Sequence, residues 1–328
     1  MNFEGFFDIC DLHMLLGWVM NKDRDDQVVN VDIYDFDQLI VTIPANLFRE
    51  GLVEHGKGTG YHAFQYPVPW YLKDGKEHLI SVKVSGTNMH LIGSPKILKY
   101  DIVTKKRIEV ARDYLHGVGI EIGALHSPLP VRSLEGIDSI KYIDRMDKES
   151  LRRYYPELSN YDFVIVDIVE DGEKLTKIDD NSLDFIICNH MLEHCEDPIG
   201  TIKNFMQKLK DNGMVYLVIP DKRFCFDKNR ELTLFEHCVQ DHLQGPEISR
   251  YNHYLEWAKL VNKIPEEEVI SQANEYMEKE LNIHFHVWDY HSFYEFLVKT
   301  IEYLNNSFSI EKFEQNITEI ITILKKVD

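Results

Sequence analysis

The stretch from Gly117 to Asp144, GVGIEIGALHSPLPVRSLEGIDSIKYID, restricts the fold more than any other part of the chain. A short apolar run, Val118 to Ile122, carries Glu121 and ends at Gly123, and a second run, Ser139 to Ile143, ends in Asp144. Two such runs joined by a crossover read as the opening of a parallel α/β sheet. An acid at the tip of the second strand is where such a sheet grips ribose hydroxyls. Further strand-length runs at 162–167, 184–189 and 214–219 continue the pattern, with helical segments expected between them. After 184–189, Asp197 is an N-cap and Pro198 a first helical residue, and Ile199, Ile202, Phe205, Met206 and Leu209 form one apolar stripe. Asn212-Gly213 is expected to stop that helix. Residues 221–287 read as a long, mostly helical insertion, followed by a helix from Tyr290 to Leu304. Two closing strands near 308–314 and 318–326 are expected to form a hairpin on the sheet edge.

The residues before 99 have a different texture. Runs such as VVNVDIYDF, QLIVTIP, YHAFQYPVP, HLISVKVSG and MHLIGSP alternate apolar and polar residues between turn formers, with Asp74-Gly75 expected as a hairpin turn. The spacing favours a small all-β sandwich over 1–98. Residues 99–116 then form a linker, with Lys105, Lys106 and Arg107 on a solvated helix face. Within the chain's 328 residues, 55 acidic side chains against 36 basic ones leave a net charge of −19. That balance argues against a nucleic-acid partner, which needs clustered Lys and Arg. Five scattered cysteines without a CxxC pair fit a reducing cytosol, so a cytoplasmic location is expected. Neither a signal peptide nor a membrane span is expected, because the N-terminus is acidic and the apolar runs are short.

The order of elements over 112–328 resembles the class I S-adenosylmethionine-dependent methyltransferases. The fold class that follows is α/β, a Rossmann-like sheet with helices on both faces, over 117–328. In that family the turn after the first strand brings backbone to the methionine part of the cofactor, and Glu121, Gly123 and Ala124 match it. The acid ending the second strand binds ribose, matching Asp144, and an acid after the third strand addresses adenine, matching Asp167-Ile168. The segment SLDFIICNHMLEHCEDP resembles the family's segment beneath the methionine, with Asn189 in it and His194 bracing the loop. Leu125 stands where a second glycine is common, and a side chain there limits close backbone approach. Glycines 117, 119 and 123 lie before and along the strand, so they do not form a dinucleotide fingerprint. His190, Glu193 and His194 satisfy the H-x-x-E-H pattern of inverted zinc proteases. Only about one turn is left before Asp197-Pro198, however, so no metal site is read there.

The phrases PDKRF, DH…GPE.SRY.HYLEW and H.HVW..HSF resemble methyltransferases that act on surface polysaccharides. The N-terminal runs resemble a sandwich module found joined to glycosyltransferases. These resemblances imply an O-methyltransferase that transfers to a sugar hydroxyl of a glycan, with S-adenosylmethionine as donor and S-adenosylhomocysteine as product. A glycosyltransferase is a candidate partner. A hydroxyl must lose its proton as it is methylated, and a histidine is a suitable base. His190, His242, His253, His284 and His286 are candidates, with His253 and His284 placed first, and 221–287 is the expected acceptor-binding region. Asp221 is a candidate to orient the acceptor or to help hold a divalent cation. Trp18, Tyr61, Tyr66, Trp70 and Tyr71, and later Tyr251, Tyr254, Trp257 and Trp288, either stack on sugars or fill cores. The alternatives are a non-catalytic glycan-binding protein with a methyltransferase-like domain, and a methyltransferase for a small metabolite.

Overall fold

The computed structural model describes residues 2–327. The chain divides into two compact units. The first holds residues up to Lys105 together with His126–Ser133 and Leu151–Val164. The second holds Lys106–Leu125, Leu134–Ser150 and the chain from Ile165 onward. Among the described residues no helix is long and apolar enough to cross a membrane, and all five cysteines are free.

The first unit contains β1 (Phe3–Cys10), β2 (Met14–Asn21), β3 (Val29–Asp35), β4 (Gln38–Ala45), β5 (Leu47–Phe48), the short helix α1 (Glu50–Glu54), β6 (Tyr61–Pro67), β7 (Leu79–Val84) and β8 (Lys96–Ile97). They form two four-stranded antiparallel sheets, ordered β1-β2-β6-β5 and β4-β3-β7-β8. Alternate residues such as Val29, Val31 and Ile33 point inward and share one core with Phe7, Leu15, Val19, Phe64, Ile80 and Val82. β1 and β2 escape a reading by alternation because β2 is almost continuously apolar. Two other readings change. MHLIGSP makes only isolated bridges at His90 and Ile92. Asp74-Gly75 is not a hairpin turn, because β6 and β7 lie in different sheets. The Asp74 carboxylate instead accepts from Lys76 N at 2.9 Å and Ser133 Oγ at 2.9 Å and contacts His78 Nε2 at 3.1 Å, which fixes the link between the sheets.

The second unit is built on one seven-stranded sheet, with α2 (Ile102–Tyr114) leading into it. Its strands are β9 (Gly117–Ile122), β10 (Ile137–Asp144), β11 (Ile168–Val169), β12 (Leu183–Asn189), β13 (Leu209–Pro220), β14 (Phe308–Asn316) and β15 (Glu319–Lys326). The order is β11-β10-β9-β12-β13-β15-β14. The first five run parallel, and the β14/β15 hairpin adds to β13 antiparallel. This is the Rossmann-like methyltransferase sheet that the resemblance implies. A short helix, α3 (Lys148–Tyr154), begins in this unit and ends in the first; the others of the second unit are α4 (Pro198–Lys208), α5 (Phe235–Gln244), α6 (Glu247–Glu256), α7 (Val269–Glu278) and α8 (Tyr290–Tyr303). Ile120, Ile122, Ile186, Cys188, Leu217 and Ile219 of the strands pack with Ile199, Ile202, Phe205 and Met206 of α4 and Phe293, Phe296 and Leu297 of α8.

Local chemistry explains where the elements start and stop. Asp197 caps α4 by accepting from Gly200 N at 2.8 Å, and Pro198 takes the first helical position. Asn212-Gly213 does not end α4, which stops at Lys208. The pair falls inside β13, where the register against β12 jumps from Leu183↔Leu209 to Phe185↔Met214, and Asn212 takes φ +63° to make the bulge. No helix forms between β9 and β10, because Pro128 and Pro130 lack donors and push their predecessors out of helical geometry. The third strand is not 162–167: ladder pairing begins only at Ile168, opposite Ile143. The basic run on α2 is paired as well as solvated. Lys106 reaches Glu314 at 2.9 Å, and the largely buried Arg107 holds Glu319 with two nitrogens.

Phe205 is 1 % exposed within this core. Phe205→Ala therefore lowers unfolding stability by about 3–5 kcal/mol, through lost burial and the cavity left behind. Chemical denaturation of the full chain measures the loss.

Candidate active site

The parallel register brings three strand tips to one level. Ile143 of β10 pairs with Ile122 of β9, which pairs in turn with Cys188 of β12. The next residues are Asp144, Gly123 and Asn189, side by side at the carboxyl ends. Chain order reverses between β9 and β12, and at such switch points open α/β sheets bind ligands. Gly123 takes φ +69°, and a Cβ built there would meet nothing within 4 Å, so open space lies before the turn. Leu125, where a glycine is common, itself adopts the left-handed φ of +49°. The substitution thus keeps the backbone turn at the cost of strain.

The polar groups at this edge suit a nucleoside. Both amide atoms of Asn189 are buried without a hydrogen-bond partner in the protein, which leaves a donor and an acceptor for a ligand. Asp144 Oδ1 accepts from Arg145 N at 2.8 Å. Burial raises the Asp144 pKa to about 6, against the lowering effect of that hydrogen bond. The residues at the tips therefore fit S-adenosylmethionine: Asp144 would hold ribose hydroxyls, and Gly123, Ala124 and Asn189 would line its path.

Other sequence candidates take different positions. Glu121 is buried one residue short of the strand end, within electrostatic reach of Arg107 and Tyr216. Asp167 precedes the third strand instead of following it, and its Oδ2 accepts from Tyr142 N at 2.8 Å, so that oxygen serves the neighbouring strand. Ile168 is a β11 ladder residue packed against the core. His194 Nδ1 lies 2.9 Å from Ile283 O and braces the segment 279–289; burial lowers its pKa to about 4.

The histidines separate into distinct environments. His190 Nε2 lies 3.0 Å from Glu319 Oε2. Desolvation works against its charge, but Glu193 and Glu319 raise its pKa to about 9, so it is protonated at neutral pH and unsuited to accept a proton. His242 Nδ1 lies 2.8 Å from Asp197 Oδ2 and supports the α4 cap. His253 packs against His237 and His286, and burial, aided by His237, lowers its pKa to about 3. His284 Nδ1 lies 2.6 Å from Asp227 Oδ2. Asp227 also accepts from Arg230 Nη1 at 2.9 Å, and Arg230 is bonded to Glu256 and to the His284 carbonyl. Asp221 is fully buried and chelated by Arg223, Nε at 2.9 Å and Nη2 at 2.5 Å, which contradicts a free acceptor-orienting or cation-binding carboxylate there. The H-x-x-E-H pattern does not bring its three residues to one point: His190 lies between Glu193, at 3.5 Å, and Glu319, whereas the Glu193, His194 and His284 ligand atoms form a group without His190.

Aromatic side chains are divided in the same way. Tyr61 and Tyr71 are exposed, whereas Trp18, Tyr66 and Trp70 are half-buried; Arg132 stacks 4.8 Å from the Trp70 ring. Tyr254 and Trp288 are core residues, and Tyr251 and Trp257 are partly buried. Phe226, which the residue-level reading passed over, is half-exposed, 4.7 Å from the His284 ring and 5.4 Å from Trp257. Asp227 and Arg230 were also missed. Asp227 follows the PDKRF phrase by three residues, whereas nothing local marks Arg230.

Affinity for S-adenosylhomocysteine is expected to fall as pH drops through about 6, because the Asp144 carboxylate then takes up a proton. Asp144→Asn removes that pH dependence and weakens binding about tenfold or more, since a hydrogen bond to a charged group contributes about 1.5–3 kcal/mol. Calorimetry on both proteins reads the effect, and a flat wild-type profile would exclude the ribose role.

Residues 145–299 match the family model described as a methyltransferase domain. No curated protein matches the chain. Among solved structures, an S-adenosylmethionine-dependent methyltransferase from Aquifex aeolicus is similar at 12 % identity and a TM-score of 0.37, over 70 % of this chain and 100 % of that one. The N-methyltransferase NodS from Bradyrhizobium japonicum is similar at 10 % identity and a TM-score of 0.33, over 69 % and 94 %. The strand order and the family match, and not these distant likenesses, identify the second unit: it is a class I S-adenosylmethionine-dependent methyltransferase domain.

Proposed function

We propose that the domain methylates a hydroxyl oxygen of a sugar in a glycan, with His284 as general base. The observation that carries this reading is the Asp227–His284 pair at 2.6 Å beside an aromatic wall. Asp227 holds Nδ1–H and leaves Nε2 as the acceptor of a proton, the arrangement that orients a catalytic imidazole. Phe226 and Trp257, with ring centroids 4.7 and 6.0 Å from the His284 ring, offer apolar faces to the C–H face of a sugar. A neutral acceptor also suits a chain of net charge −19, which would repel an anionic one.

When bound, S-adenosylmethionine supplies a sulfonium methyl group with a thioether as its leaving group. The protein's residues align the acceptor and take up one proton at His284 Nε2 as the O–CH₃ bond forms. Asp227 stabilises the resulting imidazolium, and Arg230 and Glu256 hold Asp227 in place. In the same reading the β-rich residues 1–98 are a glycan-binding module, and 99–116, which hold α2, lead from it into the methyltransferase domain. Exposed Tyr61, 5.1 Å from Phe48, and Tyr71 are the module's sugar-stacking residues. A cytoplasmic location beside a glycosyltransferase completes the proposal.

His284→Gln is expected to slow methyl transfer by about 10²- to 10⁴-fold while leaving affinity for S-adenosylhomocysteine unchanged. Screening free sugars, nucleotide sugars and oligosaccharides with methyl-labelled cofactor identifies the acceptor. Methylation of small non-sugar metabolites alone would overturn the sugar assignment, and near-normal turnover in His284→Gln would remove the base.

A further inference from the structure

We propose that His237, Asp241, His253 and His286 bind one transition-metal dication, with a donor set suited to zinc, that ties α5 and α6 to the segment 279–289. One ligating atom from each residue lies within 4.8 Å of all the others. His237 and Asp241 are one turn apart on α5, His253 comes from α6, and His286 comes from the extended segment before α8. Sequence distance hides the group; the packing of the insertion assembles it.

The spacing suits coordination. His237 Nε2 is 3.1 Å from His253 Nε2 and 3.2 Å from Asp241 Oδ2. Four nitrogen and oxygen ligands held about 2.0–2.2 Å from a tetrahedral zinc ion sit about 3.3 Å from one another. Hydrogen bonding alone does not satisfy the cluster. A single proton on His237 Nε2 can serve only one of two neighbouring acceptors. His286 and Asp241 are each 1 % exposed, yet His286 Nδ1 and Asp241 Oδ2 have no hydrogen-bond partner. A central cation would satisfy all four lone pairs together.

The atoms facing away from the cluster are held as metal ligands usually are. Asp241 Oδ1 accepts from Ser249 Oγ at 2.6 Å, and His286 Nε2 lies 3.3 Å from the Glu196 carbonyl, which leaves Nδ1 to coordinate. Four protein ligands close a tetrahedral shell, so the ion is structural and offers no open position for chemistry. The His237 side chain remains 33 % exposed and gives the ion a way in. A second cluster, Glu193, His194 and His284, is less suited: it supplies three ligands, and Asp227 and Ile283 O already occupy one nitrogen of each histidine.

The test uses the full-length protein, stripped with a chelator and refilled with Zn²⁺ or Co²⁺. Wild type is expected to retain about one equivalent of zinc through gel filtration, read by mass spectrometry, and its cobalt form to show the intense visible bands of four-coordinate Co²⁺. His237→Gln and Asp241→Ala should each weaken zinc binding by more than about 100-fold, because loss of an outer-shell partner alone costs 10–100-fold. Glu193→Gln should keep the full equivalent. Retention below about 0.1 equivalent, a weak six-coordinate cobalt spectrum, unchanged binding in His237→Gln, or loss of zinc in Glu193→Gln would each overturn the proposal. Metal content is read without methyl transfer, so this inference and the sugar reading fail separately.

Discussion

The register between β10, β9 and β12 is the constraint on which the methyltransferase unit depends. Side chains alternate across a strand, so a slip of one residue would bury Lys141 and expose Ile143, or turn Glu121 to the face that Ile120 and Ile122 occupy. The apolar face packed beneath α4 and α8 therefore specifies the register, and the register sets Asp144, Gly123 and Asn189 abreast. With neighbouring strands about 4.8 Å apart, three adjacent tips span about the width of a nucleoside. The hydrophobic core and the candidate cofactor edge are thus one feature viewed from two directions.

Two buried arginines of this unit, Arg107 and Arg230, are paired with carboxylates, and the pairs join elements that are distant in sequence. Arg107 of α2 holds Glu319 at the start of β15, and Glu319 also meets His190 just after β12. The paired carboxylate is lowered to about 2: burial opposes its charge, but the hydrogen bonds from Arg107 and His190 prevail. In the insertion, Arg230 is 2 % exposed and is shared among Asp227, Glu256 and the carbonyl of His284. Removing ions from water is costly unless every donor and acceptor finds a partner. Such networks therefore act more through the positions they impose than through net stability. Here they hold the Asp227–His284 pair in place.

Much of the fold was legible locally. The runs at β9, β10, β12 and β13, the Asp197-Pro198 start of α4 and the closing hairpin all appear where their patterns place them, because each is set by near neighbours in the chain. The misreadings have a common cause. Asn212-Gly213 looks like a helix stop, but becomes a bulge because β13 begins earlier, against Leu183. Residues 162–167 look like a strand, but in parallel pairing the ladder begins only at Ile168. A short apolar run does not reveal its partner, and pairing decides whether it is a strand.

By itself, the sequence determined the α/β class of the second half, the β-rich character of the first and the acid Asp144 at the tip of β10, since these follow from periodicity, turn residues and capping. Tertiary structure alone decided which histidines do what. His190 becomes a charged partner of Glu319, His242 a support for a helix cap, His284 the partner of Asp227, and His253 a neighbour of His237 and His286. A histidine's chemistry is set by the charges and burial around it, and those come from residues up to 129 positions away.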